Sequence, residues 1–432
     1  MNTLDPFFED PDGGLASRTF STVADGMAAS EILVIAYAVR AQIEAGKKIA
    51  NFTVGDFAPA EFQVPAVLKE NITAAVAANH TNYPPAHGTP ELRGAIRDHY
   101  ADVLGLDYPV DAIVVASGAR PVLYASFRCL LNPGEKVVTP APSWNNNNFS
   151  QLVGAEHVVV PSRPEDDFMP TADRLAPHLR DARLLVLCSP MNPTGTMIRP
   201  QAMTDICDLV LAENARRDAS GERALYLIYD QVYRMLTFGD VPHVTPVGMR
   251  PEMARYTLMT DAISKCFAAT GLRVGWLVGP PFIAARIKAL MTHMGAWAPR
   301  PEQMATAAFL RDRAAVEEFL EGFKTTIRGR LDLIYDAFAA WKAEGLPVDV
   351  IAPEGAIYLS VRIDLQGRPG FATEAEVRRY LLDEAGCAIL PFSVFGDATN
   401  VGWLRFSVGA VSVDQIKNCL PRLRAALESA IQ

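Results

Sequence analysis

The chain has 432 residues, half of them hydrophobic and 21% charged. That length suggests two or three domains with a sizeable core and excludes disordered and fibrous classes. The formal charge is 40 − 49 = −9, and no Lys/Arg cluster stands out, so nucleic acid and anionic membrane are poor candidates as main partners. No window reaches the ~18 unbroken apolar residues of a membrane span. The acidic start MNTLDPFFEDPDGG lacks a signal peptide's basic start and apolar run, and a soluble, cytoplasmic protein is expected. The six cysteines (Cys129, Cys188, Cys207, Cys266, Cys387, Cys419) are scattered without a CxxC pair. They read as buried free thiols rather than a disulfide framework or a metal site.

In chain order, the first expected element is a helix near 28–45. It lies in an N-terminal segment, 1–50, expected to pack on a smaller C-terminal domain. From about residue 111, short apolar runs alternate with helical patterns. The candidate strands are DAIVVAS (111–117), EKVVTP (135–140), EHVVVP (156–161), RLLVLCS (183–189), ALYLIYD (224–230), RYTLMTD (255–261) and RVGWLVG (273–279). Between them, ARPVLYASFRCLL (119–131) and QAMTDICDLVLAENARR (201–217) repeat apolar residues at helical spacing. The runs are continuous, as in strands buried on both faces. They predict an α/β large domain, 51–330, with a mostly parallel seven-stranded sheet flanked by helices.

A long helical stretch over 301–343 leads out of it. Then come PVDVIAPEGAIYLSVRI (347–363), a helix near 374–385, WLRFSVGAV (403–411) and a C-terminal helix. That order predicts a small α+β domain, 331–432. There is no internal repeat. The run Asn145–Asn148 follows Trp144 directly, and within it only Asn148 is suspected of lining a pocket.

Lys265 is the most informative position, just past a strand with Arg273 eight residues on. A lone lysine there usually snorkels to solvent. Lys265 instead sits between Ser264 and Cys266 with Phe267 following. A lysine desolvated in this way has a lowered pKa and can form a Schiff base with an aldehyde. Three further strand ends matter. One runs into Asn192-Pro193-Thr194-Gly195, which is also an ordinary turn sequence. Another ends at Asp230 with Tyr233 three residues on, where an acid is often a helix N-cap. The third enters Ser117-Gly118-Ala119 before a helix. Such a turn is either plain or directs free N–H groups at an anion such as phosphate.

Together and in this order, from about residue 28 to 430, these segments resemble the class I pyridoxal-phosphate-dependent aminotransferases, of type I fold and aspartate aminotransferase-like. The matching positions are Gly55 in NFTVGDF, Tyr83 in NYPPAHGTPELRGAI, Gly118 and Ala119, Trp144 in PAPSW, Asn192 in NPTG, Asp230 with Tyr233, Lys265 with Arg273, Gly355 in PEGAIY, and Arg405 in LRFSVG. The resemblance implies pyridoxal 5'-phosphate as cofactor, amino acid and 2-oxo acid substrates, and no metal.

It also implies residue roles. Lys265 would hold the cofactor as a Schiff base and then move the substrate's Cα proton. Asp230 would pair with the pyridine nitrogen, while Tyr233 and Asn192 would hydrogen-bond the ring's 3′ oxygen. Trp144 would stack on the ring. Gly118, Ala119, Arg120, Ser264 and Arg273 would bind the cofactor around its phosphate. Arg405 would take the substrate α-carboxylate in a bidentate fork, with Gly55, Trp144, Asn192 and Arg120 also on the substrate. Tyr83 would reach the cofactor of the partner subunit, making a homodimer with shared active sites.

The chain departs from the family pattern at three places. Ala262 stands where a Ser or Thr commonly serves the phosphate, Gly55-Asp56-Phe57-Ala58-Pro59 replaces Gly-x-Pro-Asp-Phe, and Pro391-Phe392 replaces Pro-Gly. The implied reaction is transamination by a ping-pong mechanism. A carbon–sulfur β-lyase, a cyclopropane-carboxylate synthase, or an aminotransferase for aromatic or neutral amino acids would use the same Lys, Asp and Arg. A sensor domain of a transcription regulator is disfavoured, because only about 27 residues precede the first helix. Arg120 stands where one branch of prokaryotic aspartate aminotransferases has a Lys for the side-chain carboxylate, which implies a preference for aspartate or glutamate. Two plainer roles for Arg120 are assisting the phosphate and pairing with an acid.

Overall fold

The computed structural model describes residues 4, 8, 9, 13–27, 30–144 and 146–432, without the side chain of Asn146. Asn145, and residues 28 and 29 of the first expected helix, lie outside the described residues.

The first strand, β1 (Ala50–Asn51), precedes seven that form one sheet. These are β2 (Ile113–Ala116), β3 (Lys136–Ala141), β4 (Glu156–Pro161), β5 (Ala182–Cys188), β6 (Tyr226–Asp230), β7 (Thr257–Ala262) and β8 (Gly275–Val278). They lie in the order β2-β8-β7-β6-β5-β3-β4. Neighbours run parallel except at β8, which is antiparallel to both β2 and β7.

Successive residues of these strands feed two different cores, as a period-2 pleat requires. Leu185, Leu187, Leu227, Tyr229, Met259 and Trp276 pack on one face with the helices Pro90–Leu104, Pro200–Ser220 and Arg300–Arg311. Leu184, Val186, Ile228, Leu258 and Leu277 pack on the other with Ala119–Leu130 and Pro281–Met294. Both faces are covered, which is why the strands read as unbroken apolar runs.

The 301–343 stretch is two helices, Arg300–Arg311 and Arg313–Ala343. The break is made by Asp312, whose side chain accepts the Ala315 N–H at 3.1 Å and caps the second helix. Beyond it, β9 (Val348–Val350), β10 (Tyr358–Ile363), β12 (Leu390–Pro391) and β13 (Trp403–Ser407) form an antiparallel sheet in the order β12-β13-β10-β9. Between them, β11 (Cys387–Ala388) pairs in parallel with β1.

The core under this sheet combines Phe338, Tyr358, Phe406 and Leu423 with Phe52, Phe57 and Phe62 from the start of the chain. The helix Glu31–Glu44 joins the same region through Val39, which meets Ile49 and Ala388. All six cysteines are free thiols, with Cys207, Cys266, Cys387 and Cys419 buried. Among the described residues, no helix is long and apolar enough to cross a membrane.

Topology positions the site. The carboxyl ends of β2, β5, β6 and β7 share one edge of the sheet. Because β8 runs the other way, its amino end, just after Arg273, arrives at that same edge. Ligands of open α/β sheets bind there.

Candidate active site

A cavity of about 360 Å³ opens at this edge. Lys265 reaches it from the single turn Ile263–Cys266 directly after β7. Its Nζ donates to the Gly55 carbonyl at 2.5 Å. Burial, with the guanidiniums of Arg405, Arg120 and Arg273, lowers its pKa to about 8, although Asp56 pulls the other way. Gly55 has no room for a side chain, since a Cβ there would lie 2.8 Å from the Tyr358 hydroxyl.

Asp230 is the last residue of β6. One carboxylate oxygen accepts the Val232 N–H at 3.2 Å, and no ion-pair partner reaches the group among the described residues. Burial raises its pKa to about 7, and the nearby Asp261 adds to the shift. A carboxylate held this way favours a cationic group placed against it.

Arg273 is held by carbonyls alone, donating from Nη1 to Thr270 at 2.8 Å and from Nη2 to Ser117 at 3.0 Å. Its guanidinium lies against Gly118, where a Cβ would overlap it, and Gly118 also needs φ +91°. Gly118 precedes the helix Ala119–Leu130 without a side-chain cap. The unmet N–H groups of that first turn and Arg273 therefore face the same space.

Arg405, on β13, is only 1% exposed. Its Nη1 donates to Asn192 Oδ1 at 2.9 Å and its Nη2 to the Thr53 carbonyl at 2.5 Å, while Nε has no partner. The rings of Tyr358 and Phe395 cover the guanidinium at 4.7 and 4.9 Å. Tyr233 and Tyr358 share a hydrogen bond of 2.6 Å between their hydroxyls, and burial raises both pKa values.

Arg120 stacks on the Trp144 ring at 4.5 Å. One face of the indole expected to cover a cofactor ring is thus occupied by this guanidinium. Burial and Arg273 lower the pKa of Arg120. Ala119, Ser264, Ala262 and Thr270 also line the cavity. Ala262 offers no hydroxyl, and the Thr270 hydroxyl donates to Asp56 at 2.7 Å.

Tyr83 stands apart. It is 83% exposed, is not part of the cavity wall, and sets its ring edge-on to Trp297 at 5.3 Å. Asn148, the one asparagine suspected of lining a pocket, borders a second cavity beside this one. Lining groups not singled out from sequence include Tyr358, Asp56, Thr53, Thr270, and the start of the helix Glu31–Glu44 with Ser30, Ile32 and Leu33. Tyr358 had a visible signal, since it closes the PEGAIY segment whose glycine attracted attention.

Lys265 and the guanidiniums of Arg120, Arg273 and Arg405 thus face one cavity against two carboxylates, Asp56 and Asp230. None of the three guanidiniums has an ion-pair partner among the described residues. This excess of positive charge calls for anionic ligands. The donor set fits pyridoxal 5'-phosphate together with a carboxylate substrate: an amine for an aldehyde, an acid for a ring nitrogen, and a glycine cradle with Arg273 for a phosphate. No group of His, Cys, Asp and Glu among the described residues has a metal-binding arrangement.

A family model described as aminotransferase class I and II matches residues 47–423. A bifunctional aspartate aminotransferase and glutamate/aspartate-prephenate aminotransferase of Petunia hybrida is 30% identical, over 92% of this chain and 80% of its own length. An arginine–pyruvate transaminase of Pseudomonas aeruginosa is 32% identical, over 86% of this chain and 88% of its own. The crystal structure of the aspartate aminotransferase from Rhizobium meliloti matches with a TM-score of 0.84 at 26% identity, covering 95% of this chain and 98% of that one.

Proposed function

Since the chain belongs to the class I and II aminotransferases, which depend on pyridoxal 5'-phosphate, we propose that its site works as an amino acid:2-oxo acid aminotransferase with a preference for aspartate or glutamate. The observation that carries this is the convergence of Lys265, Asp230, Arg273 and Arg405 on one cavity. The cofactor supplies an aldehyde that takes up amines and a ring that accepts electrons.

The chain's own residues do the rest. Lys265 carries the cofactor covalently through Nζ, and its lowered pKa leaves a fraction of neutral amine near pH 7. As a free amine, the same Nζ would take the proton from the substrate's Cα. Asp230 holds the ring nitrogen protonated, a cationic partner that its buried carboxylate lacks among the described residues. Arg273 and the N–H groups of Ala119 and Arg120, in the turn that Gly118 opens, bind the phosphate, with Ser264 beside them. Asn192 and Tyr233 approach the ring's 3′ oxygen, and Trp144 borders the ring.

Arg405 donates one N–H of each Nη to Asn192 and the Thr53 carbonyl and keeps the remaining N–H groups for the α-carboxylate. Its two covering rings exclude water from that contact. Arg120, with no acid beside it among the described residues, takes the distal carboxylate of aspartate or glutamate. Gly55 keeps the entry open.

The exposed Tyr83 is assigned to the cofactor of a partner subunit, in a cytoplasmic homodimer with shared active sites. Each chain is divided into a large cofactor-binding domain, 51–330, and a small domain, 331–432, on which residues 1–50 pack.

Relatives named for aspartate and for arginine both match this chain, so the donor class rests on Arg120. The test is the reconstituted protein with a single amino acid. An aminotransferase stops after one turnover with the aminated cofactor and resumes when a 2-oxo acid is added. Continuous release of ammonia and pyruvate would instead indicate a lyase.

A further inference from the structure

A second cavity, of about 280 Å³, lies beside the first. Ser30 and Ile32, at the start of the helix Glu31–Glu44, line both. Phe395 also joins them: its ring covers Arg405 at 4.9 Å and borders the second cavity. The Phe395 carbonyl accepts the Ser143 N–H at 2.9 Å, which fixes this wall next to Trp144.

The annex differs from the active-site cavity in charge. No Lys or Arg lines it. Its hydrogen-bonding groups include the carboxylate of Glu31 and the amides of Asn147 and Asn148. Ser30 stands at the helix N-cap, yet its hydroxyl makes no capping bond. His157 adds no charge. Its ring nitrogens bond Thr139 at 3.0 Å and Ser150 at 2.9 Å, and burial lowers its pKa, keeping it neutral at pH 7. Behind the wall, Ser393 donates to Glu374, and Glu374 feels both Glu31 and Arg378.

We propose that this annex is a side-chain subsite for a second class of amino donor, amino acids with a long side chain ending in an ammonium or guanidinium group. The proposal rests on the aminotransferase function above, with the α-carboxylate on Arg405. A ping-pong cavity has to accept two side chains in turn. A distal carboxylate is drawn to Arg120, whereas a distal cation is repelled by it. The annex offers that cation the carboxylate of Glu31 and neutral oxygen acceptors on Asn147, Asn148 and Ser30. Ile32 gives its methylenes an apolar wall to cross. The chemistry is ordinary transamination: the donor's amino group passes to the 2-oxo acid, and the carbonyl oxygen goes to the donor's skeleton.

The test follows single-turnover absorbance changes of the holoenzyme with aspartate, norleucine, lysine and arginine. Lysine or arginine should exceed norleucine, a side chain of similar length without charge, by tenfold or more in kcat/KM. In a Glu31→Gln/Asn148→Ala variant that advantage should fall about tenfold, as loss of a charge-assisted bond does, while aspartate stays within about twofold. Lysine and arginine no better than norleucine, or a variant that slows aspartate equally, overturns the annex. Turnover of aspartate without either cationic donor refutes the annex alone, whereas no half-reaction with any amino acid refutes the aminotransferase reading itself.

Discussion

Asp56 Oδ1 accepts the Thr270 hydroxyl at 2.7 Å across 214 residues of sequence, tying the entry loop to the loop between Lys265 and Arg273. The neighbouring Gly55 carbonyl receives Lys265 Nζ at 2.5 Å. From the other side, Gly409 packs so closely on the Asp56 carbonyl that a Cβ there would overlap it. Three distant segments of chain therefore set the position and the proton affinity of one lysine.

A pH dependence follows. Only the neutral amine of Lys265 bonds an aldehyde, so the rate at which cofactor-free protein captures pyridoxal 5'-phosphate should rise with pH, with a midpoint near 8. Asp56 raises the lysine's pKa, and Asp56→Asn should move the midpoint to lower pH while sparing the contact with Thr270. Stopped-flow absorbance of the bound cofactor measures this. A midpoint near the ordinary lysine value of about 10.4 would show that burial does not act as described.

Asp230 predicts a stability effect of opposite direction. Its folded pKa, about 7, lies above the ordinary carboxylate value of 3.8. Between those values the folded, cofactor-free protein binds a proton that the unfolded chain does not. Stability should therefore fall as pH rises from about 4 to 7 and stay low above it. Asp230→Asn removes the buried charge. Its cofactor-free form should melt above the parent at pH 8 and close to it at pH 4.5, although its transamination is lost. An Asn variant that melts lower at pH 8 would contradict the unpaired, desolvated carboxylate.

The seven strands of the large sheet were legible because each is a run of apolar residues closed by a turn or a charge. The reversal of β8 had a sequence cause as well. Residues 263–274, which separate it from β7, are about the shortest parallel crossover and hold only the single helical turn Ile263–Cys266, whereas such crossovers usually carry a full helix. That connection instead carries Lys265 and Arg273. The break at Asp312 was hidden, because good helix formers flank it and one aspartate in a helical pattern reads as a surface residue. Ser30 and Ile32 were hidden for another reason. Their place in the site comes from contacts between segments far apart in sequence, which no local pattern encodes.

Gly195 tests how the NPTG turn is seated. It has φ +73°, and its carbonyl accepts the N–H groups of Glu354 and Gly355 at 2.8 and 2.9 Å. A Cβ there would collide with the Tyr358 carbonyl, so neither the backbone angle nor the space suits alanine. Gly195→Ala should destabilise the fold by at least ~1–3 kcal/mol. Because β10 would be pushed away from Asn192, substrate carboxylate binding should weaken further. Thermal melts and KM for the amino donor report the two effects, and an alanine variant that melts like the parent would show the turn to be free of β10.

Arg120 decides the substrate preference. It lies in the first turn of the helix Ala119–Leu130, stacked on Trp144 at 4.5 Å, with no acid beside it among the described residues. Its charge is close enough to Arg273 for each to disfavour the other, so an anion between or beside them relieves the repulsion. A distal substrate carboxylate supplies one such anion and the cofactor phosphate another, and the two predict different kinetics. A charge-assisted hydrogen bond contributes ~1.5–3 kcal/mol, so Arg120→Ala should lower kcat/KM for aspartate by roughly 10- to 150-fold. Alanine, with no second carboxylate, should lose much less. Arg120→Lys keeps the charge but not the fork or the stack on Trp144, and should recover part of the aspartate rate. Equal losses for aspartate and alanine, together with weaker retention of the cofactor on dialysis, would assign Arg120 to the phosphate and remove the ground for a dicarboxylate preference.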